Sequence, residues 1–117
     1  MKSDMDSSFE TIIEKDDYTI RILYGADIAD PRDNNVDVFV EFRNGKTYVA
    51  TFFTLKNIQA IMDRYKTSGE CKSGLYFYCT DMIIVNKITD KAVSDVIQGM
   101  IDEQDFESAF QLCVPAE

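Results

Sequence analysis

Apolar and polar positions alternate through much of the first half of the chain, and a period of two marks half-buried strands. Tyr18, Ile20, Ile22 and Tyr24 alternate against Thr19, Arg21 and Leu23. A shorter burst, Phe9/Ile12/Ile13, precedes it across Glu14–Asp17 and is expected to be a strand paired with it. Gly25 to Asn35 holds Pro31 and three Asp and predicts a long loop. Asn44-Gly45 then separates two alternating runs, Val36–Arg43 and Lys46–Phe53. A two-residue Asn-Gly loop supplies the positive φ angles of a type I′ turn. Folding about it sets Phe42 opposite Thr47, Val40 opposite Val49, Val38 opposite Thr51 and Val36 opposite Phe53. One face, Val36/Val38/Val40/Phe42 with Val49 and Phe53, is then buried. The other mixes Asp37, Glu41 and Arg43 with Phe39, Tyr48 and Phe52.

After Thr54 the period lengthens. Leu55, Ile58, Ile61, Met62 and Tyr65 recur at helical spacing, with Thr54 as N-cap and Gly69 as a left-handed C-cap. Two short strands are predicted at Leu75–Cys79 and Met82–Asn86 about a Thr80-Asp81 turn. Thr89 caps a second helix with the stripe Val93, Ile97, Met100 and Ile101. Phe106, Ala109, Phe110 and Cys113 space a short final helix over Asp105–Cys113. The order β-β-β-β-α-β-β-α-α defines an α+β fold, an antiparallel sheet packed on two to three helices. Residues 1–8 are expected to be a flexible tail and 9–117 one domain.

Composition narrows the chemistry. The 117 residues carry 21 Asp+Glu against 12 Lys+Arg, a formal charge of −9, and no His. Without imidazole there is no Ser-His or Cys-His couple and no His-ligated zinc. The five glycines are scattered singly, so no phosphate-cradling loop exists. No cofactor or metal is expected. The charge disfavours nucleic acid and anionic membrane surfaces as partners and favours a basic protein. Cys71, Cys79 and Cys113 are odd in number and fit no metal knuckle, the pattern of reduced thiols in a cytoplasmic protein. The start of the chain lacks the apolar run of a signal peptide.

The acidity is unevenly spread. Residues 1–37 hold ten acids and four bases, 38–88 four acids and seven bases, and 89–117 seven acids and one base. Two clusters stand out: Asp102, Glu103, Asp105 and Glu107 at the junction of the last two helices, and Asp27, Asp30 and Asp33 in the long loop. Asp105 and Glu107 suit a helix N-terminus, whereas Asp102 and Glu103 oppose the dipole at a helix C-terminus. The three-residue spacing of the loop acids, with no Glu at the EF-hand distance, excludes a calcium loop.

The stretch Phe42-Arg-Asn-Gly-Lys-Thr-Tyr-Val-Ala-Thr-Phe-Phe-Thr-Leu-Lys-Asn-Ile, with Tyr65-Lys-Thr-Ser-Gly-Glu-Cys71 and Asp81-Met-Ile-Ile-Val85, resembles small bacterial immunity proteins of polymorphic-toxin and contact-dependent inhibition systems. The resemblance spans roughly residues 36–113 and carries fold motifs, so it transfers no functional residue. It implies a non-enzymatic protein that neutralises a cognate toxin, commonly a basic nuclease. The expectation is therefore an acidic binding module using Asp102, Glu103, Asp105 and Glu107, with Asp27, Asp30 and Asp33 as the second set. The alternatives are a small enzyme using Cys71, beside Lys72, and a self-associating protein using the aromatic hairpin face.

Overall fold

The computed structural model describes residues 10–24 and 30–114. Its strands are β1 (Glu10–Glu14), β2 (Tyr18–Leu23), β3 (Asn35–Phe42), β4 (Thr47–Thr54), β5 (Met82–Val85) and β6 (Gln111–Val114). They form one sheet in the order β1-β2-β3-β4-β5, with β6 also on β4. The first three pairings are antiparallel. β5 lies parallel to β4 along Thr51–Thr54, and β6 antiparallel along Thr47–Val49. β3 occupies the opposite edge of β4, so β5 and β6 share its remaining edge end to end. The helices are α1 (Leu55–Ser68), α2 (Asp90–Asp102) and the single turn α3 (Phe106–Ala109). The fold class is α+β, as the patterning indicates.

Both long helices begin and end on local chemistry. Thr54 accepts the Asn57 N–H and Thr89 accepts the Ala92 N–H, each in an extended conformation that starts a helix. Gly69, at φ +90°, closes α1 as a left-handed cap. The β4-α1-β5 crossover that follows makes the parallel pairing possible, because parallel neighbours cannot be joined by a tight turn.

Three expectations are corrected. The hairpin is not a two-residue type I′ turn. Gly45 N–H bonds to the Phe42 carbonyl and Phe42 N–H to the Lys46 carbonyl. Only Gly45, at φ +94°, is left-handed there. This is a type I turn with a glycine bulge. The extra loop residue shifts the register by one: Val40 faces Tyr48, Val38 faces Ala50 and Val36 faces Phe52. A one-residue slip moves every β4 side chain to the other face, so Tyr48 and Phe52 join the core and Val49 does not. Second, Leu75–Cys79 is not a strand. It leaves Glu70–Gly74, where Cys71, Lys72 and Ser73 are all left-handed, and Phe77 turns inward against Phe53 and Tyr65. Third, Asp105–Cys113 is helical only over Phe106–Ala109 and then extends as β6. Pairing with β4 supersedes the 3–4 spacing of its apolar residues.

The main core lies between one sheet face and α2–α3. Ile20, Ile22, Val38, Val40 and Phe52 meet Val93, Ile97, Phe106 and Phe110, all buried. α1 serves a smaller layer on the opposite face, where Phe53 and Ile61 are buried while Leu55, at 64% exposure, is left in solvent.

Candidate functional site

The hairpin end of the sheet meets the α2–α3 junction at an aromatic cluster. Phe42, the last residue of β3, stands edge-on to Phe106 and Tyr48, with ring centres 5.4 and 5.7 Å away. Tyr18 lies 5.6 Å from it, and Phe106 stacks on Phe110 at 4.3 Å. Such pairs add attraction beyond buried area and hold the rings in fixed orientations. Phe42 is nevertheless only half-buried, because a notch of about 370 Å³ opens beside it, lined by Phe42, Ile101, Gln104, Phe106 and Glu107.

The turn that shapes the notch closes α2. Gln104 N–H bonds to the Ile101 carbonyl and Asp105 N–H to the Met100 carbonyl, the paired bonds of a Schellman motif. Gln104 holds the left-handed position at φ +64°, where glycine is usual. This turn displays Asp102, Glu103 and Asp105 to solvent, and Glu107 is exposed one residue into α3. Asp105 does not cap α3 with its side chain. Asp102 accepts a hydrogen bond from Gln98 Nε2 at 2.9 Å, and Gln98 Oε1 accepts one from the Tyr18 hydroxyl at 2.6 Å. Burial, with the nearby Asp102 and Asp17 carboxylates, raises the Tyr18 pKa. Among the described residues, none of the four acids is ion-paired with Lys or Arg.

The second acidic set is placed differently. Asp30 accepts the Arg32 N–H at 2.9 Å and meets Lys56 Nζ at 3.5 Å. The Arg32 N–H, followed by the Lys56 charge, lowers its pKa. Asp33 accepts from Asn57 Nδ2 at 3.2 Å. These two acids tie the loop to the first turn of α1. Asp27 lies outside the described residues. The α1 start adjoins the beginning of β3 through Asn34 and Thr54, and the notch adjoins its end. Asp30 and Asp33 therefore sit at the opposite end of an eight-residue strand from the first set, roughly 23 Å along its axis, and do not share a surface with it.

A larger groove, about 590 Å³, runs over the part of the sheet face opposite the main core that no helix residue lines among the described residues, beside Ile12, Arg21, Phe39 and Glu41. Its Arg21 is already held by Glu10 at 3.0 Å and stacks 5.0 Å from the Phe39 ring centre. Phe39 is the one member of the expected aromatic hairpin face that stays there, since Tyr48 and Phe52 turn into the core. Cys71 is partly exposed within the left-handed turn, and its thiol makes no hydrogen bond among the described residues. Among those residues no group of three or more Cys, Asp or Glu is arranged to hold a metal ion, and no helix is long and apolar enough to cross a membrane.

Phe42, Ile101 and Gln104 escape the sequence reading as site residues. Phe42 and Ile101 carry the periodicity of core positions, and nothing in its local sequence marks Gln104 as left-handed. No protein-family model matches the chain, and no curated protein or solved structure matches it either.

Proposed function

We propose that the protein is an acidic, non-enzymatic binding module that captures a basic protein through the notch at the α2–α3 junction. One observation carries this reading: Glu107 lines an open apolar notch, and Asp102, Glu103 and Asp105 are exposed on the turn that contributes Ile101 and Gln104 to it, with no cation paired to any of the four among the described residues. Carboxylates already matched by internal cations, as Asp30 is by Lys56, have less to offer a partner. An arginine or long lysine side chain suits this geometry, its stem against Phe42 and Ile101 and its charge at the rim. Negative potential at one end speeds encounter with a basic surface, while burial of aromatic area slows dissociation.

The role that fits is that of an immunity protein blocking a basic toxin, a nuclease being the natural target of an acidic surface. The three free thiols suit a reducing, cytoplasmic setting. The test uses an Arg-rich peptide and a small basic nuclease as probes, followed by amide chemical shifts. Shifts confined to Phe42, Ile101, Gln104 and Phe106 are expected. Neutralising all four acids to Asn or Gln is expected to weaken binding at least about tenfold with an unchanged melting curve. Shifts spread over Asp37, Asp95 and the α1 start, or affinity surviving neutralisation at low salt, would refute the assignment.

A further inference from the structure

β5 ends the sheet, and among the described residues no strand or backbone hydrogen bond occupies its outer edge. Edge strands normally carry a charge, a proline, a bulge or a cover that prevents pairing with another chain. Met82-Ile83-Ile84-Val85 has no charged residue or proline and pairs with β4 in regular register. Ile84 is 49% exposed although its neighbour Ile83 is buried. Beside this edge an apolar groove of about 420 Å³ separates β5 from α2, lined by Ile84, Val85, Ala92 and Val96, with Lys87 and Asp95 at its rim.

The charges flanking the strand single out the occupant. Asp81 stands at its N-terminal end and Lys87 beyond its C-terminal end, and among the described residues neither is in an ion pair. Two copies of Met82–Val85 laid antiparallel and centred on Ile84 bring the Asp81 end of each copy beside the Lys87 end of the other. Asp81 lies in the left-handed turn that precedes the strand (φ +56°), and Lys87 lies two residues beyond the strand, within reach of its long side chain. Attraction then acts at both ends, while Ile84 covers Ile84 at the centre. A parallel arrangement sets like charge on like and is disfavoured. We propose that β5 is a self-pairing edge: two copies of the chain join antiparallel through Met82–Val85 into one continuous sheet, with Asp81 and Lys87 fixing the register. The shared edge is short, so association in the micromolar range is expected. The surface is separate from the notch at the α2–α3 junction and leaves that site free in each copy.

Sedimentation velocity of the full chain from about 5 to about 500 µM tests this. The mass is expected to rise from 13.4 kDa toward twice that value, with the outward-facing Met82 and Ile84 amides gaining concentration-dependent protection from hydrogen exchange. Ile84→Lys, at an exposed position, is expected to leave a monomer throughout. Lys87→Glu sets acid against acid at both ends and is expected to weaken the dimer about tenfold, and Asp81→Asn, which keeps a residue suited to the left-handed position, is expected to weaken it by less. A wild-type monomer at the highest concentration overturns the proposal. So does a dimer whose strength is indifferent to Lys87→Glu, which decides the matter even if Ile84→Lys does not fold.

Discussion

Gln104 carries a conformational cost that a single substitution can remove. Its φ of +64° sets Cβ against the neighbouring carbonyl, a strain of about 1–2 kcal/mol that glycine does not bear. The Schellman bonds to Ile101 and Met100 involve the backbone alone, so they survive loss of the side chain. Gln104→Gly is therefore expected to raise stability by about 0.5–1 kcal/mol, read from the urea midpoint at an unchanged slope. A fall in stability would mean that the Gln104 side chain contributes more packing in the notch than the strain it brings. Thr54 shows the opposite balance. It is fully buried, and its one hydroxyl accepts the N–H groups of both Asn34 and Asn57. The cap that starts α1 thereby also anchors the entry to β3.

At the scale of elements, one side chain couples two hairpins. Arg43 leads out of β3 and reaches back over the β1–β2 turn, donating from Nε to the Asp16 carbonyl at 3.2 Å, from Nη1 to Thr19 Oγ1 at 3.0 Å and from Nη2 to the Lys15 carbonyl. Lysine has three donors, but they radiate from a single nitrogen and cannot span three separated acceptors as the planar guanidinium fork does. Arg43→Lys is expected to destabilise by about 1 kcal/mol and to speed hydrogen exchange in residues 15–18. Unchanged exchange there would refute the coupling. Elements defined by neighbours in sequence were legible before the structure: Thr54, Gly69 and Thr89 act within four residues, and the β2 alternation needs no partner to be recognised. Features that depend on distant segments were not. The β4 register turns on whether the Asn44-Gly45 loop has two residues or three. Leu75–Cys79 is a short apolar and aromatic run like that of a buried strand, yet Phe77 packs with Phe53 and Tyr65 while the segment gains no ladder. Of the candidate site, the acids could be read and the notch could not, because Phe42 and Phe106 come from segments far apart in the sequence.

Across the whole molecule, two phenols hold the α2 layer on the sheet. Tyr24, just past β2, donates to Asp90 Oδ1 at 2.5 Å at the start of α2, and Tyr18 donates to Gln98 at 2.6 Å near its end. Each bond requires a protonated phenol. Burial is the main cause that raises both pKa values, with the Asp90 hydrogen bond and charge adding to it for Tyr24 and the Asp102 and Asp17 charges for Tyr18. In the unfolded chain a tyrosine loses its proton near its ordinary pKa of about 10. The native state keeps that proton to higher pH, so the folded chain binds more protons than the unfolded one. Stability from these groups is thus complete below about pH 10 and falls as pH rises toward the native values. Tyr24→Phe is expected to cost about 1 kcal/mol at neutral pH, where the Asp90 bond is lost, and to flatten the decline above pH 10, where wild type loses the same contribution. Urea unfolding at stepped pH between about 7 and 11 makes the comparison. The two stability curves should converge with rising pH, and parallel curves would show that the Tyr24 phenol does not sense folding.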